Sequence, residues 1–187
     1  EELDGPLADL VALLDRPARH VLVVEDDDDA RRAVAELVGG EGVDVTAVGS
    51  GEDAQAELEG RRFDCIVLDL GLGGKAASGF RLLEKVKSDE RHRQTPVIIH
   101  TGRALTRREE TRLQRYAETI VVKDARSPER LLAETSLILH RPESTLPDED
   151  RRRLESIHQA DAVLQGRTVL IVDDDVRNVF ALTSALE

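Results

Sequence analysis

The sequence predicts an α/β protein with a doubly wound, five-stranded parallel sheet. Short runs rich in Val and Ile alternate five times with longer amphipathic stretches rich in Ala, Leu, Arg and Glu. The predicted strands are almost continuously apolar, which is typical of parallel strands that helices cover on both faces. We therefore expect five consecutive strand–helix units between residues 20 and 140.

The strands and helices of these units are predicted in strict alternation. The strands are predicted at Val21–Glu25, Val43–Val48, Phe63–Asp69, Pro96–Thr101 and Thr119–Lys123. The helices are predicted at Asp28–Glu41, Gly51–Gly60, Ser78–Glu90, Thr106–Glu118 and Ser127–His140. Apolar residues recur at helical spacing in the first helix, so one of its faces can pack on the sheet. Ser127 is predicted to cap the last helix, with Pro128 at its first helical position.

Two further helices are predicted outside this series. Apolar residues recur at helical spacing in Asp4–Asp15, and Pro17 ends that pattern. Residues 141–150 are rich in Pro, Ser and acidic residues, which is typical of a linker. A second helix is predicted at Pro147–Gln165. These two helices are equally compatible with coiled-coil connectors and with helices that lie on the domain.

Composition and charge exclude several classes of protein. The formal net charge is −12, which argues against nucleic acid as a general partner because phosphates repel an acidic surface. No apolar run is long enough to span a membrane. The single cysteine, Cys65, lies in an apolar run, where packing is the expected role, and it excludes internal disulfides. We expect a cytoplasmic location.

Polar residues follow four of the predicted strands. The first strand ends in an acidic run, and the third, fourth and fifth end in Asp69, Thr101 and Lys123. Each of these features taken singly has a common structural explanation. An acidic run is more often a solvated turn, an aspartate after a strand is more often a cap, a threonine more often reflects β-propensity, and a lysine is more often a surface residue. Together they lie where parallel strands place a binding site. Clustered carboxylates favour a bound cation such as Mg²⁺, and an added hydroxyl and ammonium suit a phosphoryl group.

The sequence resembles the receiver domain of two-component response regulators. The resemblance covers residues 20–140 and rests on VLVVEDD, CIVLDLGL, VIIHTG and IVVK. It implies a flavodoxin-like strand order of 2-1-3-4-5 and an aspartate that accepts a phosphoryl group with Mg²⁺. It also implies a role for each site residue. Asp69 would accept the phosphoryl group and bind the metal ion, with Asp26 as a direct metal ligand and Glu25 as a ligand through metal-bound water. The Gly71 carbonyl would be a further ligand, and Thr101 and Lys123 would contact the phosphoryl group.

Four features depart from the pattern of that family. The loop after the acceptor is lengthened and rich in glycine, with Gly73 where a proline is usual, and the matching helix glycine is expected at Gly79. Ile120 stands where the switch aromatic is expected. Asp124 replaces a proline that often follows a cis bond, so we expect a trans bond there or a strained exception. Glu25 replaces the commoner aspartate.

The acidic strand pattern returns near the end of the sequence. Residues 169–178 read VLIVDDDVRN, with Asp173 and Asp174 as a second acid pair. We therefore divide the chain into a connector helix (1–17), a receiver domain (18–140), a linker with a helix (141–167) and the start of a second receiver (168–187). The sequence contains no methionine, so we expect a segment of a longer protein. It resembles the tandem-receiver region of a hybrid sensor histidine kinase, and a response regulator with several receivers is the alternative.

The resemblance also implies partners. The phosphodonor would be a kinase or phosphotransfer domain that carries a phosphohistidine, and the adjacent receiver would be a further partner.

His100 and His158 are expected to have no catalytic role, and the chain itself is not expected to be a kinase. A pseudo-receiver that regulates a kinase by binding alone is the alternative function. A homodimer through residues 168–187 is a further prediction.

Overall fold

Five parallel strands form the centre of the structure, which is a computed structural model that describes residues 19–74, 76–142 and 146–154. Their order in the sheet is β2-β1-β3-β4-β5, as predicted. The strands are β1 (Arg19–Val24), β2 (Val43–Val48), β3 (Cys65–Leu68), β4 (Val97–Thr101) and β5 (Thr119–Val122). The observed strand order is the doubly wound, flavodoxin-like arrangement that we expected from the sequence.

Five helices connect or follow these strands. They are α1 (Asp28–Val38), α2 (Gly51–Gly60), α3 (Ala76–Ser88), α4 (Arg107–Leu113) and α5 (Ser127–Ile138), and a 3₁₀ turn (Leu72–Gly74) precedes α3. Asp27 caps α1 through its side chain, Ser50 caps α2, and Thr106 and Glu109 form a capping box on α4. Local polar side chains thus define the starts of three helices.

Several predicted helix ends are wrong. The helix α1 ends at Val38 and not at Glu41, α3 spans Ala76–Ser88 and not Ser78–Glu90, and α5 ends at Ile138 and not at His140. The helix α4 ends five residues before the predicted Glu118, because the N–H groups of Tyr116 and Ala117 bond back to the carbonyl of Leu113 and close the turn. The cap of α5 is Arg126 rather than Ser127, and Arg126 makes no side-chain cap bond. The Asp124 side chain accepts the Arg126 N–H at 2.8 Å, so an aspartate turn orients the chain before this helix.

Alternating strand residues build a core on each face of the sheet. One cluster joins Leu22, Ile66 and Ile99 to side chains of α2, α3 and α4. The other joins strand residues such as Val23 to α1 and α5, and it includes Cys65. Cys65 is fully buried, and burial raises the pKa of its thiol to about 12, in agreement with the expected packing role.

The chain continues past α5 along the same domain. Arg141 donates hydrogen bonds to the carbonyls of Val38 and Gly39, at 3.3 and 3.1 Å, at the end of α1. Residues 148–154 are helical, at the start of the helix predicted from Pro147. Leu146 and Leu154 are buried in a small cluster with Leu132 of α5. Leu146 and Leu154 therefore contribute apolar contacts of their own.

Several predictions fall outside the described residues. They are the connector helix at 1–17, the end of the linker helix beyond residue 154, and the second receiver segment at 168–187. Within the described part of the chain, no helix has the length and hydropathy needed to cross a bilayer. The same residues contain no cis peptide bond, so the bond before Asp124 is trans, as expected.

Candidate functional site

Three carboxylates meet at one edge of the sheet. Glu25 and Asp26 follow β1, and Asp69 follows β3, which is the neighbour of β1. The Asp69 N–H donates to the carbonyl of Val24 at 2.9 Å, which holds the two strand ends together. One oxygen from each carboxylate lies within 4.8 Å of the others. Glu25 and Asp69 are buried, whereas Asp26 is exposed.

Lys123 lies at the end of β5 and reaches two of these carboxylates. Its Nζ donates to Glu25 Oε2 at 2.6 Å and to Asp69 Oδ2 at 2.8 Å. Its backbone N–H donates to the carbonyl of Thr101 at 2.9 Å, so the strand register fixes its position. The cluster therefore contains three carboxylates and one ammonium, so its net charge is negative.

The two buried carboxyls differ in acidity although they share one lysine. Burial raises the pKa of Glu25 above its ordinary value, and the bond from Lys123 only partly opposes this effect. Burial also acts to raise the pKa of Asp69. Hydrogen bonds from Lys123, the Gly71 N–H and Thr101 outweigh burial and hold the pKa of Asp69 below its ordinary value. Asp69 is therefore an ionised carboxylate at neutral pH.

Thr101 ends β4 and is fully buried beside Asp69. Its Oγ1 also accepts the N–H of Arg103 at 3.3 Å, which orients the hydroxyl. The residue between them is Gly102, and a Cβ at this position would lie 3.6 Å from Lys123 Cδ. This distance is ordinary van der Waals contact, so the lysine side chain runs beside the strand end without requiring a glycine there.

The glycine-rich loop after β3 folds back over the acidic cluster. The Gly71 N–H donates to Asp69 Oδ1 at 3.0 Å, and the Gly73 N–H donates to Asp26 Oδ2 at 2.9 Å. Gly73 and Gly74 have φ angles of 62° and 67°, which glycine adopts without the strain that a Cβ causes. The Gly71 carbonyl accepts the Gly74 N–H at 3.0 Å, and its second lone pair is still able to bind a metal ion.

The start of α3 packs directly on the chain at the end of β3 through Gly79. A Cβ at this position would lie 2.5 Å from Leu70 Cα and 2.8 Å from the Asp69 carbonyl oxygen. Both contacts are with backbone atoms, so only glycine fits without a shift of the loop or the helix. The structure thus places the expected helix glycine at Gly79.

Two site residues escape sequence reasoning. Arg31 of α1 donates to the Glu25 carbonyl at 2.8 Å and so fixes the backbone of the acidic turn. Gly73 contributes its backbone N–H to Asp26, as described above. The only available signal for Arg31 is its place in the first turn of the helix that follows the acidic run. A backbone donor such as Gly73 leaves no signal in residue type.

The predicted switch position holds an aliphatic side chain in the structure as well. Ile120 is partly buried in β5 and packs on the core cluster that includes Ile99. No aromatic ring is therefore available at this position to move between core and solvent.

The donor set at the acidic cluster fits a hard divalent cation. Its ligands are carboxylate oxygens from Glu25, Asp26 and Asp69, with a carbonyl oxygen at Gly71, and Mg²⁺ prefers such oxygens. The excess negative charge favours cation binding for the same reason. A phosphoryl group bound next to such a cation would also face Lys123 and Thr101.

A family model for the response regulator receiver domain matches residues 21–136. Among curated proteins, the nitrogen assimilation regulatory protein NtrX of Azorhizobium caulinodans is 32% identical over 85 residues, which is 46% of this chain and 18% of NtrX. The transcriptional regulatory protein SrrA of Staphylococcus aureus is 24% identical over 164 residues, which is 88% of this chain and 63% of SrrA. The chain thus spans less than two thirds of either relative.

Solved structures share the fold. The manganese-bound form of the response regulator Rcp1 matches with a TM-score of 0.57 and 22% sequence identity. The match covers 69% of this chain and 99% of Rcp1. At this level of identity the likeness establishes the arrangement of the sheet and helices.

Proposed function

The chain belongs to the response regulator receiver domain family, and we propose that it accepts a phosphoryl group on Asp69 in two-component signalling. The donor in this proposal is a phosphohistidine on a kinase or on a phosphotransfer domain. Mg²⁺ is the proposed cofactor, held by Asp26 and Asp69 directly, by Glu25 through water and by the Gly71 carbonyl. The manganese bound to Rcp1, which shares the fold, supports a divalent cation here.

One observation carries this proposal: the ammonium of Lys123 lies 2.8 Å from Asp69 Oδ2. The same carboxylate accepts hydrogen bonds from Thr101 and from the Gly71 N–H, and its pKa is held below the ordinary value. An ionised carboxylate is the form that can act as a nucleophile. A surface aspartate with an ordinary solvent environment would have none of these partners.

The chemistry follows from these positions. An Asp69 oxygen attacks phosphorus as the bond between phosphorus and the donor imidazole nitrogen breaks, and that nitrogen keeps the electron pair. Lys123 and Thr101 lie where they can bind the equatorial oxygens of the transferred group. Mg²⁺, when bound, neutralises negative charge on the phosphoryl oxygens and on the carboxylates. Phosphoryl transfer needs little more from a protein than this placement and charge balance.

A second candidate is a docking module that regulates a kinase by binding alone. The hydrogen bond from the Gly73 N–H to Asp26 favours it, because this bond occupies one oxygen of the proposed metal ligand. The absence of an aromatic residue at Ile120 favours it as well. Mg²⁺ must compete with the Gly73 N–H for Asp26, which makes metal affinity the property that separates the two candidates.

The function of the longer protein is a wider proposal. The acidic pattern at residues 168–187 supports a second receiver, which would make an adjacent receiver a partner within the same protein. The names of NtrX and SrrA, both regulatory proteins, support a regulatory protein over a hybrid histidine kinase. Pairing of two copies through residues 168–187 is a further proposal, which light scattering on this chain and on one that ends at His140 would test.

Phosphorylation by a small phosphodonor tests the proposed function. The full chain is incubated with acetyl phosphate and Mg²⁺, and intact mass is expected to show one added phosphoryl group. The Asp69→Asn variant should gain none, and the Asp29→Asn variant should label as the wild type does, because Asp29 is an exposed carboxylate next to the acidic cluster. Labelling of Asp69→Asn at the wild-type level, or no labelling of the wild type, would contradict the proposal.

A further inference from the structure

A cavity of about 570 Å³ lies between α1, α5 and the helical residues 148–154. Its volume is in the range of small-molecule sites. Ala30, Ala33 and Val34 of α1 form one wall, and Pro128 and Leu131 of α5 form another. The cavity therefore offers an apolar lining of small and branched side chains.

Two polar side chains of this cavity have buried atoms that make no hydrogen bond within the described residues. His100 is 7% exposed, and neither of its ring nitrogens makes a hydrogen bond there. Glu129 has one buried carboxylate oxygen without a partner. Buried polar atoms in proteins are nearly always paired with protein, water or ligand. Two such groups on one cavity indicate that an occupant completes their hydrogen bonds.

The charges around the cavity define that occupant. The Lys123 ammonium is bound to Glu25 and Asp69, and Arg153 is paired with Glu149 and with Asp150. The carboxylates of Glu36 and Glu129 also line the cavity. The net charge at the cavity is therefore negative.

His100 does not oppose a cation. Burial and the nearby Lys123 ammonium lower the pKa of His100 to about 4, so its imidazole is neutral at pH 7. A neutral imidazole has one N–H donor and one nitrogen acceptor, and the acceptor suits an N–H group of a ligand. Together with Glu129, the cavity presents acceptors next to apolar walls.

We propose that this cavity binds a small organic amine, with its ammonium group paired with Glu129 and bonded to His100 and its apolar part against α1 and α5. Lys123 also lines this cavity, but its ammonium is bound to Glu25 and Asp69, where the proposed acceptor chemistry takes place. The proposed amine site requires no phosphorylation and no metal ion.

A titration of the ¹⁵N-labelled full chain with n-hexylamine tests this site. Saturable shifts are expected at the amides of Ala33, Val34 and Leu131 and at the His100 imidazole. Hexanoate has the same apolar length and the opposite charge, and it should produce no saturable shift at these groups. Equal binding of hexanoate, or shifts confined to residues outside the cavity, would overturn the proposal.

Variants separate this site from other acidic surfaces. Glu129→Gln should weaken hexylamine binding about tenfold or more, because it removes the charged acceptor. Glu52→Gln is the matched control, since Glu52 occupies the first turn of α2 as Glu129 occupies that of α5. Ala33→Phe should abolish binding by filling the cavity from an exposed position that does not burden the core.

The acidic cluster is the competing location for an amine. If Asp26→Asn abolishes hexylamine binding while Glu129→Gln leaves it unchanged, the amine binds at that cluster and the proposal is wrong. Unchanged affinity in Ala33→Phe would contradict it equally. Far-ultraviolet circular dichroism of each variant establishes that the fold is retained.

Discussion

At the scale of single residues, Lys123 joins two buried carboxylates whose acidities move in opposite directions. Burial raises the pKa of Glu25, and the hydrogen bonds at Asp69 lower the pKa of Asp69 despite burial. Burial acts to lower the pKa of Lys123, but its bonds to Asp69 and Glu25 raise it. Two carboxyls with separated pKa values can carry separate roles. In the proposed function, Asp69 is the nucleophile, and Glu25 pairs with Lys123 and binds the metal ion through water.

Replacement of Lys123 by Gln should destabilise the domain in a manner that depends on pH. At neutral pH the loss of the ammonium leaves two buried carboxylates facing each other, and we expect unfolding to become easier by about 1–3 kcal/mol. As pH falls, Glu25 protonates first, because its pKa is raised. Asp69 protonates last, below its ordinary value, because its pKa is lowered. The difference between wild type and variant should therefore shrink toward acid pH in two steps.

Urea unfolding of both proteins across this pH range measures the effect. Lys85→Gln is the control, because Lys85 is a surface residue, and its effect should stay within about 0.5 kcal/mol at every pH. A difference for Lys123→Gln that is independent of pH would contradict the assigned ion pairs.

Residue types predicted the grouping of the site but not its internal bonds. The sequence placed Glu25, Asp26, Asp69 and Lys123 at strand ends, and parallel strand ends meet at one edge of a sheet. The bond from Gly73 to Asp26 depends on the direction of one backbone N–H, which a glycine-rich loop does not reveal in its residue types. The opposite pKa shifts of Glu25 and Asp69 likewise depend on burial and on exact donor positions.

At the scale of elements, the contact between α3 and the end of β3 fixes the position of Asp69, the proposed acceptor. Gly79→Ala would place a Cβ against the backbone of Leu70 and Asp69, at distances of 2.5 and 2.8 Å. Both atoms belong to the backbone, so neither can move without moving the chain at the end of β3. We expect a loss of about 1–3 kcal/mol in the free energy of unfolding.

Thermal or urea unfolding compares this variant with Gly60→Ala. Gly60 also lies in a helix, but a Cβ there would meet no atom within 4 Å. Because alanine favours helix, Gly60→Ala should be neutral or stabilising by up to about 1 kcal/mol. Equal effects of the two substitutions would contradict the close contact at Gly79.

The loop at residues 71–74 should respond directly to metal binding. Mg²⁺ on the Asp26 carboxylate would withdraw it from the Gly73 N–H, so the Gly73 amide resonance should shift as Mg²⁺ is added. Gly42 also has a positive φ, at the start of β2, and serves as the control glycine. Shifts at Asp26 and Asp69 with an unchanged Gly73 amide would show that the metal leaves this bond intact.

At the scale of the whole molecule, the segment after α5 adds to the core of the domain. Leu146 is 4% exposed and packs with Leu132 and Leu154. Leu146→Ala in the full chain should lower the free energy of unfolding by about 2–4 kcal/mol. Leu137→Ala is the matched control, because Leu137 is 71% exposed, and its effect should lie within about 0.5 kcal/mol. Similar unfolding midpoints for both variants would mean that Leu146 is not a core residue.

The strand order was predicted from the resemblance to the receiver family. The nearly continuous apolar runs at Val21–Glu25 and Phe63–Asp69 indicated parallel strands that helices cover on both faces. The packing of Leu146 and Leu154 was not predictable, because two leucines near a proline-rich stretch do not indicate which surface they cover. The early end of α4 after Leu113 was not predictable either. The chain turns there to return to β5, and this requirement overrides helical periodicity.

The central claim is that Asp69 is the phosphoryl acceptor, and chemical trapping of the acyl phosphate tests it most directly. The chain labelled with acetyl phosphate and Mg²⁺ is reduced with borohydride, which converts a phosphorylated aspartate into homoserine. Peptide mass spectrometry should then find homoserine at position 69 and aspartate at positions 26 and 27. Homoserine at another position, or at none in a chain that has bound Mg²⁺, would contradict the account.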